Sequence, residues 1–161
     1  MFKNRLYKSG TQWGFWRWSF VPTGYITRLH LIKTPWFAMC LHWLNHPDPE
    51  PWLHDHPVSF LSLILRGWYI DKRFLMSSLC RYFLYTSPDD CGREYLYFER
   101  KNKWWNYISA ETEHSIIQVG PKTLTLCFMG PKVREWGYHT DKGWVYWKDY
   151  NREKYGTSKN K

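Results

Sequence analysis

Apolar positions along this chain alternate with polar ones or gather in short blocks, and turn signals interrupt them often. That rhythm predicts strands rather than helices. "YITRLHLIKT", from Tyr25 to Thr34, alternates well enough for a strand. After Thr34-Pro35, "WFAMCLHWL" sets Trp36, Ala38, Cys40, His42 and Leu44 on one face and Phe37, Met39, Leu41 and Trp43 on the other. Both faces are largely apolar, so this strand is expected to be covered on both sides. "NHPDPEP", from Asn45 to Pro51, holds three prolines and must be a loop. "VSFLSLIL", from Val58 to Leu65, reads as a buried strand stopped by Arg66-Gly67. "WYIDKRFL" and "CRYFLYT" carry weaker patterns, and "EYLYFER" follows the turn "SPDDCG" as a further strand. "NYISAETEHSIIQV" and "TLTLCFM" flank the turn "GPK" and predict a β-hairpin. A short strand is expected around Trp144 to Trp147, with a polar tail beyond. About eight to ten strands at this spacing predict an all-β sandwich or barrel.

Composition narrows the picture. The 161 residues suit a single domain over 1–150, with an N-terminal extension packed on its outside and a frayed, basic tail over 151–161. Aromatics make up 20% of the chain, which argues against disorder and leaves enough rings to line a pocket. Lys and Arg number 23 against 14 acids, a net charge of +9, which favours an anionic partner. The cations are scattered rather than striped, so an anionic small molecule is favoured over nucleic acid. The cysteines Cys40, Cys80, Cys91 and Cys127 form no CxxC pair, and a reducing cytoplasm is expected (the host cytoplasm for a viral protein). No apolar run approaches the ~20 residues of a spanning helix, so no membrane partner is expected. A monomer or a homodimer fits equally.

The chemistry concentrates in "PWLHDHPVSFLSLILRGWY", Pro51 to Tyr69. His54 and His56 are two apart, so in extended chain both imidazoles share a face. A third histidine, His114, sits in "AETEHSIIQ", with 57 residues between it and His56. A His-x-His pair before a strand ending in glycine, then a histidine on a later strand, resembles the two motifs of the cupin superfamily. Gln118 stands where cupins often carry Asn. The resemblance implies a double-stranded β-helix jelly roll, with His54, His56 and His114 binding one divalent ion. It departs from the pattern at the usual glutamate ligand, whose place is held by Phe60 and Leu61. The ion would then be held by three neutral imidazoles with open positions, which favours iron(II), with zinc, manganese or nickel as alternatives.

A closer resemblance is to small cupin-like proteins encoded by bacteriophages and prophages. It rests on Leu41-His42, Asp48, "LHDHP", "FLSLILRGWY" and "GPKVREWGYHTDKGWVYW" at Gly130 to Trp147, and spans about Lys33 to Tyr150. It implies a bacteriophage origin and says little about the reaction. His42 and Gln118 are candidates for a fourth ligand or a supporting partner. Arg134, Tyr138 and Tyr69 are candidates for substrate contact, Arg134 as the counter-charge of an anion. Asp55 alternates away from the two histidines and reads as a hydrogen-bonding loop residue. His46 and His139 fall in turn-like segments expected to be solvated. Three functions compete: a three-histidine, oxygenase-like metal enzyme acting on a small molecule, a metal-free sugar-nucleotide isomerase, and a non-catalytic binder of a nucleotide or host protein. No catalytic residue is assigned, and no His–Asp pairing is visible that would support the isomerase.

Overall fold

The computed structural model describes residues 14–20, 24–74, 86–88, 94–101 and 103–156. These residues form thirteen strands and one helix. In order they are β1 (Gly14–Phe20), β2 (Ile26–Lys33), β3 (Ala38–Leu44), β4 (Leu53–His54), β5 (Phe60–Arg66), β6 (Trp68–Phe74) and β7 (Thr86–Pro88). There follow β8 (Glu94–Lys101), β9 (Trp105–Ile108), β10 (His114–Val119), β11 (Thr123–Met129), β12 (Gly137–Thr140), β13 (Gly143–Tyr146) and α1 (Trp147–Tyr155). "CRYFLYT" lies mostly outside the described residues, as do Cys80 and Cys91. Cys40 and Cys127 are free thiols. Among the described residues no helix is long and apolar enough to cross a membrane.

The strands make two antiparallel sheets. One has the order β1-β2-β3-β11-β5-β9, the other β13-β12-β4-β10-β6-β8-β7. The N-terminal extension is not only an outer layer, since β1 pairs with β2 and forms the edge of the six-stranded sheet. The alternation read from the sequence sets the inner face correctly. Ile26, Cys40, Leu44 and Ile64 are buried on the six-stranded sheet, and Tyr69 and Asp71 on the other. Ile26, Leu44, Ile64 and Tyr69 pack together with Tyr25, Ile116 and Val119 to join the sheets.

The expected hairpin around Gly120-Pro121-Lys122 is corrected. β10 pairs with β4 and β6, whereas β11 pairs with β3 and β5 in the other sheet. The turn is a corner between sheets. A hairpin and a corner both need a short polar break between apolar runs, so local pattern cannot separate them. A second crossing, from β5 to β6 at Gly67, lies against the first. The Thr123 hydroxyl donates to the Trp68 and Gly120 carbonyls at 3.0 and 2.8 Å, tying the two corners together. Gly67 has φ +77°, and a Cβ there would lie 2.5 Å from Thr123 Oγ1 and 2.8 Å from Thr123 Cα. Gly67→Ala therefore combines left-handed backbone with a clash against main chain. It should lower stability by about 1–3 kcal/mol, seen as a lower urea midpoint at unchanged slope.

The frayed tail is corrected over residues 151–155, and residues 157–161 lie outside the described residues. Residues 147–155 are helical, with Asp149 in the first turn and Arg152 and Lys154 in the last, as the helix dipole favours. The helix buries no residue fully, and long-range contacts hold it. The Trp147 indole stacks on Trp136 with centroids 5.5 Å apart, and Tyr150 lies 4.4 Å from Tyr138. Glu50, in the proline loop, accepts from Tyr150 Oη at 2.6 Å, Tyr155 Oη at 2.7 Å and Lys154 Nζ at 2.5 Å. Burial opposes the ionisation of Glu50, yet the bonds from Lys154, Tyr150 and Tyr155 outweigh it and hold the carboxyl below its usual range. A group depressed in the folded state contributes stability above its unfolded pKa and loses it as pH falls through the folded value. Amide exchange over 147–155, taken relative to its intrinsic rate at each pH, should therefore quicken on acidification below the ordinary carboxylate range. In Glu50→Gln it should already be faster at neutral pH. Equal protection of the helix in both proteins would refute the role of Glu50.

Candidate metal centre

β4 is only two residues long, and its place between β12 and β10 fixes the site. His114 on β10 lies opposite His54 on β4, so residues 60 apart in sequence become cross-strand neighbours. His56 follows in the loop, where its N–H donates to the Ala110 carbonyl at 3.1 Å. The three rings converge, with centroids 4.9 to 5.0 Å apart. One ligand atom from each falls within 4.8 Å of the others, and among the described residues no carboxylate joins them. His56 Nε2 and His114 Nε2 are 2.7 Å apart.

Burial pushes His54 down to about 4 despite the nearby Asp48, and burial together with the facing histidines holds His56 well below its usual value. Both are neutral donors at physiological pH. Two imidazole nitrogens each about 2.0–2.1 Å from a shared ion, at a right angle, would lie about 2.9 Å apart. The pair at 2.7 Å needs only a slight opening to meet that. The donor set therefore fits a first-row divalent ion held on one face.

The supporting residues are buried carboxylates. Asp71, wholly buried on β6, lies 2.8 Å from His114 Nδ1 through Oδ1. That bond directs the other nitrogen, Nε2, towards the cluster. Its Oδ2 accepts from Arg73 Nε at 2.9 Å, Arg73 Nη2 at 2.7 Å and Asn106 Nδ2 at 3.3 Å. Asn106 Nδ2 also donates to Tyr69 Oη at 2.8 Å. Burial resists the charge on Asp71, but His114 and Arg73 overcome it and hold the carboxyl at about 2. Asp48 accepts from the Ile116 N–H at 2.7 Å, which docks the proline loop on β10 and leaves Oδ2 3.9 Å from His54 Nδ1. Asp55, wholly buried, accepts from the Gly137 N–H at 2.7 Å and Trp144 Nε1 at 2.9 Å. It is the hydrogen-bonding residue the alternation implied, and it keeps His54 and His56 facing the other way.

The cluster opens into a cavity of about 760 Å³ between the sheets. Tyr69 and Tyr138 line it, each phenol held above its usual value chiefly by burial. Phe60, in the place of the usual carboxylate, lies edge-on to His56 with centroids 4.9 Å apart. The six-stranded sheet contributes His42 and Arg28, and α1 contributes Trp147 and Arg152. His42 Nε2 is 3.0 Å from Cys40 Sγ and its Nδ1 is 3.4 Å from Cys127 Sγ. Both nitrogens thus face thiols, and His42 stands apart from the cluster of three histidines.

Two further candidates lie away from the cavity. Gln118 is exposed on β10 beyond the bulge at Ile116/Gln118 and lies outside the cavity lining. Arg134 is also outside the lining, its Nη2 2.8 Å from Asp55 Oδ2. His46 is exposed as expected, whereas His139 is half-buried between Asp55 and Glu113, at 3.5 and 3.3 Å. Sequence reasoning passed over Asp71 and Arg28. Their only local signal is a charge at the apolar phase of a strand, next to Tyr69 in one case and Ile26 in the other.

No protein-family model matches this chain, and no curated protein matches it. Solved structures do. CapF, a capsular polysaccharide assembling protein from Staphylococcus aureus, aligns with a TM-score of 0.50 at 12% identity, covering 74% of this chain and 31% of that one. An RmlC-like cupin from Shewanella frigidimarina aligns at 0.44 and 11%, covering 80% and 92%. HppE, solved with iron(II), aligns at 0.48 and 11%, covering 71% and 55%. At such identities the likeness is one of fold. The protein has a cupin-type jelly-roll fold, with a cluster of three histidines inside the barrel.

Proposed function

We propose that this chain is a divalent-metal enzyme, oxygenase-like and using iron(II), that modifies an anionic small molecule in the cavity beside His54, His56 and His114. The observation that carries this reading is the convergence of three imidazoles which, among the described residues, no carboxylate joins. A bound ion supplies Lewis acidity and open coordination positions. The protein supplies the rest. Asp71 fixes the orientation of His114, and Phe60, edge-on to His56, offers no ligand oxygen where the usual glutamate would stand. Trp136, Tyr138 and Trp147 wall the cavity against water, and the Tyr138 phenol stays protonated as a hydrogen donor. Anaerobic loading with iron(II), metal analysis and nitric oxide as a spectroscopic probe test it. One iron per chain with a nitrosyl paramagnetic signal is expected. Retention of no metal from iron, zinc, manganese or nickel would overturn it.

The His114–Asp71 contact also supports a second reading, a metal-free acid–base isomerase in which His114 is the base and a tyrosine the acid. The metal reading is favoured because His56 Nε2 crowds the nitrogen that a base would present to substrate. Turnover of a sugar nucleotide by chelator-treated protein would reverse that order. The phage-like motifs support a bacteriophage origin and a place in the host cytoplasm. Sequencing of the flanking genes tests the origin, with structural or lysis genes as neighbours the expected result.

A further inference from the structure

The cavity contains a cation with no anion to answer it. Arg28 lies on β2, two residues from Ile26 and in the same inward phase. Its row across the sheet runs to His42 on β3, Thr125 on β11 and Ile64 on β5, none of them acidic. Among the described residues no carboxylate lies within ion-pair distance of Arg28, and its Nε is buried without a hydrogen-bond partner. Arg152, which also lines the cavity, pairs with Asp149 at 3.1 Å. Outside the lining, three further arginines each have a carboxylate or an aromatic ring beside them. Arg73 has Asp71, and Arg134 has Asp55. Arg100, whose Nε is also unpartnered, has its guanidinium over the Phe98 ring at 4.5 Å. The two carboxylates that line the cavity are committed elsewhere. Asp48 accepts from the Ile116 N–H, and Glu50 from three side chains of α1.

Arg28 is half-buried, and an unpaired guanidinium whose Nε is shut off from solvent costs stability, so its place in the wall of a cavity calls for a ligand. Its fork matches the two oxygens of a carboxylate or phosphate. The surroundings set the rest of the ligand. Phe60, Ile108, Ile116, Met129 and Trp136 also line the cavity and offer apolar surface for a carbon skeleton. The histidines stand on the opposite sheet from Arg28. We propose that Arg28 anchors the oxyanion head of an organic acid whose apolar body extends across the cavity towards the three histidines. This rests on the function proposed above only in sharing its cavity, and it replaces Arg134 by Arg28 as the counter-charge.

Titration calorimetry of the full chain with phenylacetate, phenyl phosphate and the neutral 2-phenylethanol tests it, with metal content measured on the same samples. Phenylacetate should bind at least about tenfold more tightly than 2-phenylethanol. Arg28→Met should remove that preference and Arg28→Lys should retain part of it, while metal content and the response of Arg134→Ala stay as in the parent. Because the unpaired charge is removed, Arg28→Met without ligand should melt no lower than the parent. Phenyl phosphate reports which head group fits: a dependence on Arg28 shared with phenylacetate marks a general oxyanion site, and a dependence confined to one marks a carboxylate or a phosphate site. Binding of both acids no tighter than the alcohol, binding of neither acid, or an Arg28→Met protein that binds both acids as the parent does would overturn the proposal. Iron retention with an indifferent Arg28→Met would sink this inference alone. Absence of metal with Arg28-dependent acid binding would sink the metal enzyme alone.

Discussion

Alanine at His54, His56 or His114 should drop divalent metal content from one ion per chain towards none. Two imidazoles seldom hold a first-row ion against water, and among the described residues no carboxylate stands close enough to replace the third. His114→Ala should have the largest effect. It removes a ligand and also the hydrogen-bond partner of Asp71 Oδ1. The loss has a thermodynamic signature besides the analytical one. An ion at a hundred times its dissociation constant stabilises the folded chain by about 2.7 kcal/mol, and the variants should forfeit that increment. Melting with and without metal should then differ for the parent and coincide for each variant. Unchanged metal stoichiometry in all three would refute the assignment.

Asp71→Ala should be among the most destabilising single substitutions in the barrel. The carboxylate is wholly buried and receives Arg73 and Asn106 besides the His114 contact. Its removal strands the Arg73 guanidinium, whose side chain is only 17% exposed. Breaking one side of a buried pair costs about 3–5 kcal/mol, a large share of an ordinary domain's stability. Urea denaturation should show it directly. The conservative Asp71→Asn keeps an acceptor for His114 and should leave the chain folded. It should weaken metal binding by about 10–100-fold, since the orienting contact survives without its charge. A destabilised Asp71→Ala beside an Asp71→Asn of unaltered metal affinity would reduce Asp71 to a structural residue.

The histidine cluster was legible because its geometry is mostly local. Two residues two apart in extended chain share a face whatever the fold, and the glycine-terminated apolar run after them marks a strand end. The supports were not legible. Asp71 sits in a weak strand pattern, and its partners Arg73, Asn106 and His114 come from three different strands. Arg134, the expected counter-charge, lies outside the cavity, and Arg28, given no role from the sequence, lines it, for the same reason. Both are arginines near strand ends in the sequence, and only the folded chain shows that Asp55 already answers the first. The helix at 147–155 escaped notice because it has no buried residue to print an apolar stripe. Its anchor, Glu50, lies 100 residues before Tyr150.

What the sequence determined alone was the phase of each strand, since alternation of side chains is a property of extended backbone and needs no partner. It put Cys40 and His42 on one shared face, whereas the inward turn of Ile26 and Arg28, and of Tyr69 and Asp71, was visible only in the folded chain. Tertiary structure decided which sheet each strand joins. The turns at Gly67 and Gly120 turned out to be corners between sheets, a choice set by distant pairings and by Thr123 bridging both. That choice put Arg28 and the three histidines on opposite walls of one cavity. It also decided which charges are answered, because an ion pair depends on separation in space, and the chain between its members can have any length.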